Sequence, residues 1–268
     1  MGDGRKTLAG EADRTSSDRV GAFKTCARDS LMEGRLSGLT GLVAMAVAGF
    51  LCLLGLTVGA GELLASVESP DGSTRVDSAI TSWMVSHRAG QATTLAKLLT
   101  TLGSQTVLLP IVGVVVVVLL WRRRFVWAGF LVLAWGGAIG LYSLGKYFVG
   151  RPRPPQEIWL VKVAGSAFPS GHAAQSMATF AALALVASFG WSRVRGLGIA
   201  LAVVLAAGVG WSRVYLGVHW STDVVAGWVM AAAWVVVVSG LQRRAVPIEQ
   251  RLRSPGVAKP AGSRSAGS

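Results

Sequence analysis

The strongest constraint on this chain is a succession of long apolar runs separated by short basic blocks. A helix needs about 20 mostly apolar residues to cross the hydrocarbon core, where every backbone polar group must be satisfied within the segment. Six runs meet or approach that length: residues 38–61, 95–120, 125–147, 172–190, 196–212 and 220–241. The fifth is the shortest and richest in Gly and Ala, and its Gly208 and Gly210 would let a neighbouring helix approach closely. A chain that is 52% hydrophobic and only 15% charged argues against a soluble domain. The predicted fold class is therefore all-α: a polytopic membrane protein with a six-transmembrane-helix bundle over residues 37–242. The flanking stretches 1–36 and 243–268 are polar and basic, and are expected to be disordered cytoplasmic tails.

The net charge of +13 would suit a nucleic-acid partner if it formed a continuous patch, but most of the basic residues sit between or outside the apolar runs. That arrangement is a topology signal, and no nucleic-acid partner is implied. Of the 26 Lys and Arg residues, 18 fall in the two tails, in Arg122 to Arg124 and at Arg193 and Arg195. Positive charge favours the cytoplasmic side, so both termini are placed there, in a multi-pass protein of the cell membrane. No cleavable signal peptide is evident, and the first apolar run is expected to persist as a helix. The other eight are Arg75, Arg88, Lys97, Lys146, Arg151, Arg153, Lys162 and Arg213. Several of these crowd the outer membrane face, where an anionic ligand would account for them. Cys26 and Cys52 are too differently placed to suggest a disulfide or a metal site. The sequence carries no signal for oligomeric state.

In the first outer loop, DSAITSWMVSHRAG reads as a short amphipathic helix lying in the membrane interface. Ile80, Trp83, Met84 and His87 fall at helical spacing on one face, with Trp83 as anchor and His87 as a passenger outside any metal or triad spacing.

Three polar clusters interrupt the apolar pattern. SRVYLGVHWSTD, residues 212–223, places Ser212, Arg213, His219 and Asp223 at the mouth of the last two runs. His219 and Asp223 are four residues apart, so on a helix they share a face, where the carboxylate can hold the imidazole in one tautomer. That is the wiring of a nucleophile or a base. Interfacial anchoring by Arg213 and His219, with Asp223 opening a helix, accounts for the same residues taken alone. The phrase WSRV also occurs at 191–194, but there no His or Asp follows, and it reads as a cytoplasmic loop.

KYFVGRPRPPQE, residues 146–157, pins Lys146, Arg151 and Arg153 beside three prolines, with Lys162 a little further on. Proline stiffens the loop, and the arginine fork suits phosphate oxygens. An exposed basic loop is the simpler alternative. FPSGHAAQS, residues 168–176, opens the fourth run with Ser170 as a natural N-cap. Free backbone N–H groups there, including that of Gly171, would face the outer surface, and helix N-termini bind phosphate readily. His172 falls in the first turn, toward the arginines.

Together the clusters resemble the three-part signature of the type 2 phosphatidic acid phosphatase superfamily. Lys, six residues, Arg-Pro matches Lys146, Arg153 and Pro154. PSGH matches Pro169 to His172, and Ser-Arg, five residues, His, three residues, Asp matches Ser212, Arg213, His219 and Asp223. The resemblance implies hydrolysis of a phosphate monoester or diphosphate on a lipid held in the bilayer, without metal or other cofactor. His219 would be the nucleophile, oriented by Asp223, and His172 the acid and then the base. Lys146, Arg153, Arg213, Ser170 and the Gly171 N–H would bind phosphate, with Arg151 and Ser212 accessory. A membrane protein that binds or translocates a lipid headgroup is the alternative, although that task needs only the cations.

Overall fold

The computed structural model describes residues 38–69, 72–188 and 192–253. The expected tail 1–36 and residues 254–268 lie outside the described residues. Contacts divide the chain at Val47. The described part of the first unit is the opening of helix α1, and the second unit, from Ala48 on, holds the core and the site.

Every regular element among the described residues is helical. In order these are α1 (Gly38–Ala65), α2 (Arg75–Ser86), α3 (Gly90–Leu102), α4 (Gln105–Trp121), α5 (Phe125–Val149), a 3-10 turn (Gln156–Ile158), α6 (Gly171–Ala187), α7 (Ser192–Tyr215) and α8 (Ser221–Arg253). Among the described residues, four stretches are long and apolar enough to cross a membrane: α1, α5, Arg195–Tyr215 of α7 and Ser221–Pro247 of α8.

The expected second span is instead two helices, α3 and α4, bent by 44°. Ser104 between them has extended backbone, which breaks the helical ladder, and a Gly-Ser pair is a common place for such a break. The fourth run forms α6 of 17 residues, shorter than the 172–190 expected. At the other end α8 runs on to Arg253, so the opening of the expected 243–268 tail is helical. Gln, Arg, Ala, Glu and Leu in QRRAVPIEQRLR are good helix formers, and polar composition alone does not separate such a helix from coil.

Helix α2 forms close to its expected place, opened by a capping box between Thr74 and Asp77. Its four marker residues do not share one environment, however. Ile80 and Met84 pack beside Ala173, Val214 and Val224, whereas Trp83 is exposed and stacks on exposed His87 at 4.7 Å. The inward face is rotated toward Asp77 and Thr81, both buried, because the Asp77 carboxylate is engaged with the start of α8.

Helix α6 is the centre of the bundle, packed on α5, α7 and α8. Its buried face is built from Ala173, Ala174, Ala178 and Ala182, small side chains that let helix backbones come close. Around it lie Leu131 and Leu141 of α5 and Met230, Trp234 and Val238 of α8. The Trp234 indole N–H donates to the Leu133 carbonyl at 2.9 Å, so this buried donor is satisfied inside the apolar core. Of the two glycines expected at a helix crossing, Gly210 makes the tight one: a Cβ there would lie 2.1 Å from the Trp228 ring. The exterior is apolar, with Leu56, Val117, Val204 and Val236 exposed on four different helices. Such a surface belongs in lipid, and the chain is a multi-pass membrane protein.

Candidate active site

Four helix ends and one loop converge at the end of the bundle that carries the RPRP loop. Helix α5 ends at Gly150, whose left-handed backbone (φ 64°) turns the chain sharply into Arg151–Pro155. The Ser170 N–H at the start of α6 donates to the Asp223 carbonyl at 3.0 Å, which ties the openings of α6 and α8 together. Between α7 and α8 the chain turns at Gly217 (φ 75°), where a Cβ would sit 2.5 Å from the Ile158 carbonyl oxygen. The turn is fixed from outside as well: Arg88 donates to the Tyr215 and Ile158 carbonyls, Leu160 N–H to the Leu216 carbonyl, and the Trp220 indole to the Pro152 carbonyl. A rigid turn therefore carries His219.

His219 is 2% exposed and Asp223 fully buried. Nδ1 of the imidazole lies 3.3 Å from Asp223 Oδ2, and Nε2 lies 3.1 Å from Arg153 Nη1. A guanidinium only donates, so Nε2 must accept, and the proton of the neutral ring must sit on Nδ1, facing the carboxylate. Burial, and after it the charges of Arg213, Lys146 and Arg153, hold the His219 pKa well below its ordinary value. The ring is thus neutral with its lone pair on Nε2, the form a nucleophile needs.

Arg153 and Lys146 are held by carbonyl groups. Arg153 donates to Ala164 O, Gly165 O and Val218 O as well as to His219, and Lys146 donates to Ser166 O and Ala167 O. Arg213, in the last turn of α7, donates through Nη1 to Thr100 Oγ1. Its Nε is buried with no partner, as is the hydroxyl of Ser170. An unpaired buried donor costs about 1–3 kcal/mol, so two of them beside a reactive-form histidine mark where a polar ligand would sit. His172 opens α6 directly after Gly171 and remains partly exposed.

Three residues named from the sequence are placed otherwise. Arg151, expected as an accessory phosphate contact, is 3% exposed and is spent on protein partners. It pairs with Glu68 at 2.6 Å, Asp77 at 2.9 Å and Asp223 at 2.5 Å, and donates to Gly72 O and Thr222 Oγ1. The Ser212 hydroxyl, also expected to be accessory, is turned back onto the Val209 carbonyl of its own helix. Lys162 is exposed to solvent. Sequence reasoning in turn missed Glu68, Asp77 and Thr100, whose partners lie far along the chain. The only local signal was the Thr74–Asp77 capping box.

A histidine held by a carboxylate thus lies under a set of cations at one end of a membrane helix bundle, an arrangement suited to an anionic ligand. Residues 126–247 match the model of the PAP2 superfamily. An undecaprenyl-diphosphatase of Sulfolobus acidocaldarius is 34% identical over 114 residues, covering 41% of this chain and 52% of that protein. The chain thus matches about half the length of that relative. Among solved structures, the first transmembrane PAP2 type phosphatidylglycerolphosphate phosphatase from Bacillus subtilis superposes with a TM-score of 0.63 at 26% identity, over 74% of this chain and 96% of that one.

Proposed function

We propose that this protein is an integral membrane lipid phosphatase that removes the terminal phosphate of a lipid phosphate or diphosphate through a phosphohistidine at His219. The observation that carries the reading is the polarity of the His219 ring: Nδ1 faces Asp223, and Nε2 faces the cations. Headgroup binding alone would need no oriented imidazole.

In the first step the Nε2 lone pair of His219 attacks phosphorus. The bond from phosphorus to the lipid oxygen breaks, and His172 gives its proton to that departing oxygen. Lys146, Arg153, Arg213, the Ser170 hydroxyl and the Gly171 N–H hold the equatorial oxygens as charge redistributes. Asp223 steadies the positive charge that the ring acquires. In the second step His172 takes a proton from water, the hydroxide attacks phosphorus, and the N–P bond breaks to release inorganic phosphate and regenerate neutral His219. Among the described residues, the carboxylates near the site, Glu68, Asp77 and Asp223, are committed to Arg151 and His219.

The bent pair α3–α4 read as one span, and α6 as a short one, bring the crossings to six. The 18-to-8 distribution of basic residues then puts both termini in the cytoplasm and the site on the outer side. There the cations reach a headgroup while its chain stays in the bilayer. The named relatives support a polyprenyl diphosphate or phosphatidylglycerophosphate, and phosphatidate presents the same terminal group. The test is phosphate release from a panel of these lipids by purified protein in detergent. Release from at least one is expected, and folded protein that releases phosphate from none overturns the proposal.

A further inference from the structure

We infer that Asp77, on the outer-loop helix α2, is a positioning residue for catalysis that acts on His219 through Arg151 and Asp223. The inference rests on the phosphatase reading above, but its geometry stands independently. Each carboxylate oxygen along the chain has an assigned partner. Asp77 Oδ1 accepts from the Thr222 N–H at 3.0 Å and the Ser221 hydroxyl at 2.7 Å, which caps α8 from a different element. Asp77 Oδ2 takes Arg151 Nη2 at 2.9 Å and the Thr222 hydroxyl at 2.8 Å. Arg151 Nη1 then goes to Asp223 Oδ1, and this leaves Asp223 Oδ2 for the Trp220 N–H and His219 Nδ1.

The consequence is mechanical and electrostatic. A carboxylate rotates easily about its last torsion, and the grip of Arg151 on one oxygen keeps the other aimed at the imidazole. One guanidinium is shared among Glu68, Asp77 and Asp223. With Asp77 neutralised, the guanidinium is drawn more fully to Asp223, which weakens the hold of that carboxylate on the Nδ1 proton and on the charge His219 gains in the reaction. The phosphate-binding cations Lys146, Arg153 and Arg213 make no hydrogen bond to Asp77, so substrate binding should not follow.

The experiment uses full-length protein in detergent with Asp77→Asn, which keeps an acceptor for the Thr222 N–H and the Ser221 hydroxyl, removes the charge and replaces the oxygen that accepts from Arg151 and the Thr222 hydroxyl with a donor. The expected result is a kcat lowered about 10–100-fold, as for other groups that orient a reacting ligand from behind, with KM changed less than about twofold. In an Asp223→Asn background the same change should alter kcat less than about twofold, because the residue through which Asp77 acts is already impaired. Equal losses in both backgrounds, or a raised KM at unchanged kcat, overturn the inference. A readout independent of turnover separates its failure from that of the phosphatase reading: histidine-selective 15N spectra, with His87→Gln and His172→Gln to isolate the signal. His219 should be the Nδ1–H tautomer in the parent and a tautomer mixture after Asp77→Asn. A His219 signal unchanged by that substitution overturns the inference whether or not the protein releases phosphate.

Discussion

Nδ1 of His219, in the turn before α8, stands 3.3 Å from Oδ2 of Asp223, in the first turn of that helix, while the other oxygen of Asp223 is held by Arg151. The carboxylate serves two partners at once, the imidazole of His219 and the guanidinium of Arg151.

His219→Ala should abolish turnover while leaving the protein folded and inserted, since the pocket offers no second nucleophile at Nε2. Asp223→Asn should retain a trace, with kcat lower by about 10²–10⁴-fold, because the amide can present the wrong tautomer to the ring. Initial rates and acid-quenched trapping of labelled phosphoprotein measure both. Substantial phosphate release by His219→Ala would remove it from the nucleophile's role.

His172→Ala should slow departure of the lipid oxygen. A substrate whose leaving group needs no proton, such as an aryl phosphate, should recover at least part of the loss in the first step. Equal losses on both substrates would mean that His172 does not act as the leaving-group acid.

Turnover should persist in excess chelator and be inhibited by vanadate, which adopts the five-coordinate geometry of phosphoryl transfer. Activity lost to chelator and restored by magnesium would contradict the proposed mechanism.

Burial alone would raise the Asp77 pKa, but hydrogen bonds from the Thr222 N–H, the Ser221 and Thr222 hydroxyls and Arg151 outweigh it and bring it from 3.8 to about 2. A group depressed on folding stabilises the fold above its unfolded pKa, and that contribution is lost as pH falls through the folded value. The shift corresponds to roughly 2 kcal/mol. The stability advantage of the parent over Asp77→Asn should therefore be full above about pH 5 and shrink between pH 4 and 2. Thermal unfolding of the two proteins in detergent across that range checks it, and a constant difference would contradict the assignment.

The sequence made some of this legible for physical reasons. Apolar runs report lipid exposure directly, so α1, α5, α7 and α8 appear near their expected places. The site signatures are local, since His219 and Asp223, or Ser170 and His172, are set by one turn of chain. Arg151 was not legible in the same way. Its partners Glu68 and Asp77 lie 83 and 74 positions away, so although the spacing from Lys146 singles out Arg153, nothing local tells that Arg151 is committed to carboxylates of the protein. The α3–α4 bend was missed although Gly103, Ser104, Gln105 and Thr106 make a short polar dip inside the run 95–120, and a Gly-Ser pair is a usual sign of a break.

The site should open to the extracytoplasmic side. Helix α5 separates the Arg122–Arg124 turn from the RPRP loop by a single element of 25 residues, about 37 Å at 1.5 Å per residue, enough to cross a hydrocarbon core of about 30 Å. Those two turns must therefore face opposite sides however the bend in α3–α4 is counted. The three arginines favour the cytoplasm, and the loop before α6 is then outside with His219 beside it. An outward site suits a lipid whose phosphate is exposed at the outer surface, whereas an inward one would draw on a different pool of substrate. Single cysteines at Gln156 and Arg122, in a background lacking Cys26 and Cys52, would be tested in intact cells with a membrane-impermeant thiol reagent. Labelling at Gln156 and protection at Arg122 until the cells are opened is the expected result, and the reverse pattern would overturn the orientation and with it the choice of substrate pool.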